Sequence, residues 1–417
     1  MYKVDVVIVG LNDRTLELVE LFRDQKVLVI DERNFSDTSA VLDFEDDLLF
    51  GIYQGSLEAS MYQVDDYEQM KEFYQMITAM NYNNKQTNLK LISAQLERNK
   101  INVLKGRIKI KSNQLLNINY LSEDTEVSFD RLVLNTSYSE KKDDRNPFVF
   151  TLEEILATQL LPEEMIIEIK TMKDLEIAKM FSNFSTKVIG VMTKNVFTEI
   201  DHLMFRDSVR DAFDTDKFEL IDKAQILKVE EHSSYGMLEI EKINDQIFPP
   251  KKEVIKESFT VLLKSYEHVA NDFDLGLEKL EDYDSTEDLI SFEDKLISQT
   301  IHLTPAYVHI QQKELSEDRV TLRINADELK YFSRIHETQG GLEVMINKNT
   351  LEIESAIIYC HESLVLRDIV RLIMEHQIPL SYFEETPIGV SSVMSIFVDI
   401  AHKYRMEVSN DNPNNNK

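Results

Sequence analysis

Glycine is scarce in this chain, with ten in 417 residues or about 2.4%, where folded proteins average roughly 7%. A nucleotide site needs glycines for tight turns and close backbone approach, so the shortage weighs against one. Cysteine is scarcer: Cys360 stands alone, which excludes an intrachain disulfide, a CxxC pair and a cysteine-rich metal site. Basic residues are outnumbered, 46 against 75 acidic, and the net charge of -29 repels nucleic acid and anionic membrane surfaces. No apolar run reaches the length of a membrane span, and the chain opens on a strand rather than on a basic segment with an apolar core. The expectation is a cytoplasmic protein with neither nucleic acid nor membrane as partner. The nine histidines all lie after residue 200, at spacings that match no metal template. The length implies two or three domains.

What is present begins at once. Val4 to Val9 is a β-branched run of the kind buried on both faces of a parallel sheet. Leu18, Leu21 and Phe22 follow at helical spacing, and Val27 to Ile30 form a second apolar strand ending on Asp31. This is a βαβ nucleotide-binding unit in outline. A working dinucleotide turn has glycine at three places; here they hold Gly10, Asn12 and Thr15. Asp31 lies 21 residues beyond Gly10, close to the roughly 20 expected of a ribose-binding acid. A side chain at Asn12 obstructs a phosphate and Asp13 adds like charge. Two readings stand: an altered nucleotide site, or a helix capped by Asn12 or Asp13 in place of a phosphate, which the self-supplied cap favours.

Helices are expected over Tyr67 to Met80 and Asn88 to Arg98. Short strands at Ile101 to Leu104, Arg107 to Ile110, Leu115 to Tyr120, Val127 to Phe129 and Leu132 to Leu134 read as an antiparallel meander returning to the sheet. Its end is DRLVLNTSYS. At this point the order of parts resembles the flavoprotein disulfide reductases, the pyridine nucleotide-disulfide oxidoreductase family of dihydrolipoamide dehydrogenase, glutathione reductase and mercuric reductase. In that family the first unit binds FAD and the meander leads to an A-T-G-S motif. Asn135, Thr136, Ser137 and Tyr138 occupy those places, and only Thr136 matches.

The resemblance continues through the chain. MIIEIKTMKDLEIAKMFSNFSTKVIGVMT is similar to the family's NAD(P)H-binding βαβ unit, with Met165 to Ile169 and Val188 to Met192 as strands and Leu175 to Phe184 as helix, Ile177, Ala178 and Phe181 inward. Its three glycine places hold Ile169, Thr171 and Asp174. Thr171-x-x-Asp174 is a capping-box pattern, which ties up the first N–H groups of the helix. SFTVLLKSY at Ser258 to Tyr266 resembles the return to the FAD domain, but the Gly-Asp pair that follows in the family is not found between Lys279 and Thr304. LTPAYVHI at Leu303 to Ile310 and the hairpin of Leu342, Val344 and Ile346 with its Asn347 to Asn349 turn resemble the dimer-forming domain. Two helices follow, striped by Leu366, Ile369, Val370 and Ile373 and by Val393, Ile396, Phe397 and Ile400.

The resemblance implies an α/β chain with two Rossmann-like βαβ nucleotide-binding-type domains plus a C-terminal α+β dimerisation domain. Residues 1–145, with a return segment 256–300, are FAD-binding-like, 146–255 NAD(P)-binding-like and 301–407 dimerisation-like; 408–417 read as a disordered tail. The family's C-x-x-x-x-C disulfide has no counterpart in Phe35 to Met80. Its H-P-x-x-x-E element aligns with Thr386, Pro387 and Ser391, so both catalytic positions differ. Cys360, in the apolar run Ala356 to Tyr359, reads as a buried small hydrophobe. The expectation is a degenerate, non-catalytic pseudoenzyme acting by interaction, a homodimer with an active paralogue as a further partner, and no cofactor. The alternative is a divergent FAD-dependent oxidoreductase without the redox disulfide, holding FAD through Gly10, Asp31 and Thr136. A third idea is another ligand in the vacated clefts.

Overall fold

Val6–Val9 is fully buried and pairs in parallel with Val27–Asp31 on one side and Arg131–Leu134 on the other. This is the arrangement that a continuous β-branched run dictates, since neither face of the strand meets water. The structure, a computed structural model, describes residues 2–12, 14–31, 46–61, 66–120, 123–135, 138–140, 146–200, 203–213, 215–244, 251–264, 268–270, 283–285, 289, 296–303, 305–389 and 391–410. The chain divides into two compact units, Met1–Lys170 with Ile177–Lys194 and Lys217–Phe292, and Thr171–Glu176 with Asn195–Asp216 and Glu293–Lys417.

In the first unit the described strands of the opening sheet run in the order Asp284–Ser285, Arg131–Leu134, Val6–Val9, Val27–Asp31, Asn102–Lys105, all parallel. One face, with Val7, Val9, Leu28 and Ile30, packs on Ile108, Ile110, Leu116, Ile118 and Val127 of a second sheet. The other, with Val6, Ile8 and Val29, packs on Leu18, Val19 and Phe22 and on Leu89, Ile92 and Leu96. The Arg131 guanidinium lies over the Phe22 ring and forks onto Asp284, Nη2 donating to Oδ1 at 2.8 Å. That fork ties the two-residue strand to the sheet.

Three expectations are corrected here. Leu21 is 56% exposed; the buried face of helix Thr15–Leu21 is Thr15, Leu18 and Val19, continued by Phe22, and Leu21 falls beyond its edge. The two helices expected between residues 67 and 98 are one, Tyr67–Arg98, capped by the Asp66 side chain, which accepts from Glu68 N. Along its polar middle the Thr78, Asn81 and Thr87 side chains donate to carbonyls four residues back, and both ends are packed. Tyr74 is fully buried against Phe184, ring centroids 5.2 Å apart, and Leu89, Ile92 and Leu96 meet the sheet; packing outweighs propensity. The meander is narrower than expected. Arg107–Ser112, Leu115–Tyr120 and Glu123–Ser128 are antiparallel, but Asn102–Lys105 and Arg131–Leu134 belong to the parallel sheet.

Helix Asp46–Met61 packs closely on this long helix. A Cβ at Gly51 would stand 2.2 Å from Asn81 Oδ1, and one at Gly55 2.8 Å from Ile77 Cγ2.

The second parallel sheet of this unit runs Val149–Phe150, Leu262–Leu263, Glu164–Ile169, Lys187–Met192, Phe218–Ile221. Helix Met172–Asn183 crosses from Glu164–Ile169 to Lys187–Met192 with Ile177, Ala178 and Phe181 buried. An antiparallel sheet of Ala224–Glu231, Gly236–Asn244 and Lys251–Phe259 shares the core of Val149, Ile166, Leu238 and Ile240. Leu262 and Leu263, within the expected return segment, pair in this second sheet. The later chain reaches the first sheet at Asp284–Ser285.

In the second unit the described strands form an antiparallel sheet, Leu296–Ile301, Tyr307–Gln312, Ile353–Tyr359, Gly341–Asn347, Arg319–Asn325. Leu342, Val344 and Ile346 alternate toward a core with Leu366, Val370, Ile373, Ile396, Phe397 and Ile400. The hairpin turns at Asn347, whose Oδ1 accepts from Asn349 N at 2.8 Å and Thr350 N at 3.2 Å. Tyr359 packs on Phe205, ring centroids 5.9 Å apart, and donates its hydroxyl to Ser208 O. Helix Ser395–Asn410 runs three residues into the segment expected as tail.

Candidate functional site

The first turn follows Val6–Val9, where parallel-sheet ligands sit at the carboxyl ends of strands. Gly10 has φ of 112°, a backbone that favours glycine, and its N–H donates to Ile30 O. The next residues are engaged with one another. Asn12 N donates to Thr15 Oγ1 at 2.8 Å, Arg14 N to Asn12 Oδ1 at 3.0 Å and Thr15 N to Asn12 O at 3.1 Å. Asn135, at the end of the neighbouring strand, closes the cluster. Its Nδ2 lies within bonding distance of Gly10 O at 3.2 Å, Asn12 Oδ1 at 2.9 Å and Thr15 Oγ1 at 3.0 Å. Asn12 Nδ2 returns a bond to Asn135 O, and Asn135 N donates to Val9 O. Thr15 and Asn135 are buried.

Asn12 does not cap the helix as expected: the residue at the helix start is Arg14, no side chain caps the first helical N–H groups, and Asn12 Oδ1 instead accepts from Arg14 N within the turn, while Asp13 lies outside the described residues. So do Thr136 and Ser137. Asp31 is at the end of its strand and fully buried under the protein's own atoms. Asn135 was visible in the sequence only as a polar residue where the family motif has alanine. Its partners are 120 to 125 residues away, and no local pattern announces them.

At the second turn Ile169 is fully buried, and its Cδ1 occupies the space over Gly190. The capping box is present: Thr171 N and Oγ1 donate to Asp174 Oδ2 at 2.8 and 2.9 Å, and Asp174 N donates to Thr171 Oγ1 at 3.3 Å.

The remaining candidates stay separate. Thr386 ends helix Leu380–Glu385 with its N–H on Tyr382 O, and Ser391 is exposed. Cys360 is buried, and burial pushes its thiol up to about 12. Its N–H donates to Ser363 Oγ. Among the described residues no group of three His, Cys, Asp or Glu side chains is placed to hold a metal ion. Nor is any described helix long and apolar enough to cross a membrane.

No family model matches the sequence, and no curated protein matches it at the sequence level. Solved structures do match. The HOCl-induced flavoprotein disulfide reductase RclA from Escherichia coli is similar at a TM-score of 0.73 and 15% identity, over 95% of this chain and 99% of its own. LpdA from Mycobacterium tuberculosis is similar at 0.72 and 11% identity, over 97% of this chain and 100% of its own. The chain has the fold of the flavoprotein disulfide reductases. The flavoprotein disulfide reductase fold accounts for the two parallel βαβ sheets and the α+β C-terminal part, and the expected fold class is what the structure has. It also accounts for the length, since the likeness runs nearly from end to end of both chains.

Proposed function

We propose that this chain is a degenerate disulfide reductase-like protein, a non-catalytic pseudoenzyme that acts by interaction and holds neither FAD nor NAD(P)H. The observation that carries this reading is the first turn. The N–H groups of Asn12, Arg14 and Thr15 already have acceptors, and the amide of Asn135 stands among them. These residues do not fit a dinucleotide pyrophosphate, which needs free N–H donors and the bare backbone of glycine. The second turn supports it independently through Ile169 over Gly190 and the Thr171–Asp174 cap. The sequence adds the missing cysteine pair, with Cys360 the only thiol of the chain, and the altered pair Thr386 and Ser391.

In this reading residues 301–407 pair two copies in a homodimer, and an active paralogue in the cytoplasm is the further partner. The outward face of helix Ser363–Glu375 supports pairing: Val365 and Leu372 are 45% and 54% exposed.

The alternative is a divergent FAD-dependent oxidoreductase without a redox disulfide. It is favoured by the positive φ of Gly10 and by the acid Asp31 at the end of its strand. The absorbance spectrum of the purified full chain separates the two. A colourless protein whose spectrum and melting midpoint do not change on adding FAD is expected; a flavin band near stoichiometric occupancy rejects the pseudoenzyme reading.

A further inference from the structure

We infer that Asn135 is a built-in substitute for a ligand at the first turn, a side-chain lock that makes the opening βαβ unit complete without any cofactor. The inference rests on the reading that this turn holds no dinucleotide, and it says what replaces one. In a ligand-bound turn, an anion gathers N–H donors from the loop after the first strand. Here the loop is gathered from the opposite polarity. Asn135 Nδ2, with two hydrogens to share, lies within bonding distance of three acceptors, Gly10 O, Asn12 Oδ1 and Thr15 Oγ1, at 3.2, 2.9 and 3.0 Å.

The acceptors are themselves turned by the loop donors: Arg14 N holds Asn12 Oδ1 and Asn12 N holds Thr15 Oγ1. Each side chain thus meets the backbone on one side and Asn135 on the other. The lock is anchored through Asn135 N on Val9 O at 2.7 Å and closed by Asn12 Nδ2 on Asn135 O at 3.2 Å. It joins the end of the first strand, the start of the first helix and the end of strand Arg131–Leu134. Its two most enclosed members, Thr15 and Asn135, are 0% and 2% exposed, so losing the bond between them leaves a buried polar group behind, while Gly10 and Asn12 are only half-buried.

Charge explains why an amide suits this place. A carboxylate at position 135 would face the oxygens of Gly10 and Asn12, acceptors as placed, with only the Thr15 hydroxyl proton to meet it. An alanine would leave those oxygens without their shared donor.

The test uses the full-length protein and four variants, Asn135→Ala, Asn135→Asp, Thr15→Val and Thr15→Ser, with thermal midpoints and amide hydrogen exchange at Asn12 and Arg14 as readouts. Asn135→Ala, Asn135→Asp and Thr15→Val are expected to lower the midpoint by about 2–6 °C and to speed exchange of those amides by about tenfold. Thr15→Ser, which keeps the Oγ acceptor, should stay close to the parent protein in both. If Asn135→Ala and Asn135→Asp leave both readouts unchanged, or if Thr15→Ser is as damaging as Thr15→Val, the lock is wrong while the cofactor-free reading stands. A parent protein that gains midpoint and a flavin band with added FAD overturns the cofactor-free reading, and the lock with it. Should Asn135→Ala be insoluble, the Thr15 pair decides the question alone.

Discussion

Ile169 lies over Gly190 on the adjacent parallel strand, so that a Cβ at Gly190 would stand 2.5 Å from Ile169 Cδ1. The nucleotide-type turn has a large side chain at Ile169, and the neighbouring strand has none at Gly190, which lies diagonally across from it, two residues before Ile169's register partner Met192. Gly190→Ala is expected to cost about 1–3 kcal/mol by overpacking, and Ile169→Ala about 2–5 kcal/mol by leaving a cavity. The double variant should cost less than their sum, with a coupling of about 0.5–3 kcal/mol in urea unfolding. Simple additivity would show that the two positions do not share that space.

The cap on helix Met172–Asn183 is expected to be structural. Asp174→Ala removes the acceptor of two Thr171 donors and should lower stability by about 0.5–2 kcal/mol. Added NADH should not change the melting midpoint of either protein. A midpoint raised by NADH in Asp174→Ala alone would mean that the carboxylate merely shields a working nucleotide site.

Cys360 is expected to be chemically silent in the folded protein. With the thiol buried and its pKa pushed up, almost no thiolate exists near neutral pH. Alkylation should proceed only as fast as the surrounding core opens, and denaturant should accelerate it sharply. Cys360→Ser should leave any interaction with a partner unchanged. Rapid labelling of the native protein at neutral pH would refute the assignment.

Alkaline pH should weaken the fold. Burial raises Cys360 from 9.0 to about 12 and Tyr359 from 10.0 to about 12. The folded state therefore holds these protons more tightly than the unfolded chain. Their contribution is fully present below pH 9 and is lost as pH rises from 9 to 12, with a slope approaching about 1.4 kcal/mol per pH unit for each group. Denaturant midpoints across that range should fall, and Cys360→Ala or Tyr359→Phe should flatten the decline. A profile indifferent to both substitutions would place the alkaline sensitivity elsewhere.

The proposed homodimer has a direct test. Sedimentation at micromolar concentration should give twice the chain mass, and Leu372→Asp, at a position 54% exposed on helix Ser363–Glu375, should give the monomer with helicity intact. A monomeric parent protein would refute pairing through residues 301–407.

The sequence carried the local rules well. Val6–Val9 and Val27–Asp31 were legible as strands because continuous β-branched runs have few other uses, and the Thr171–Asp174 cap because it is written in four adjacent residues. The Asn347 turn was legible for the same reason. What the sequence hid was set by partners far along the chain. The helix Tyr67–Arg98 looked broken at Asn81 to Thr87 because its middle has poor propensity, and its continuity comes from packing at both ends. Arg131–Leu134 read as the last strand of a meander because it follows one, although its register is with Val6–Val9. At the candidate site the sequence showed that Asn12 and Thr15 replace glycines. It could not show that Asn135 meets them, since only the sheet brings the three together.

The fork between Arg131 and Asp284, 153 residues apart, has a consequence during synthesis. The strand Arg131–Leu134 emerges early, yet its outer neighbour Asp284–Ser285 is not made until about 8 to 30 s later at roughly 5–20 residues per second. For that interval the first sheet presents an unpaired edge, the kind of surface on which nascent chains aggregate. A ribosome-bound chain stalled before residue 284 should therefore engage chaperones that the completed chain does not need.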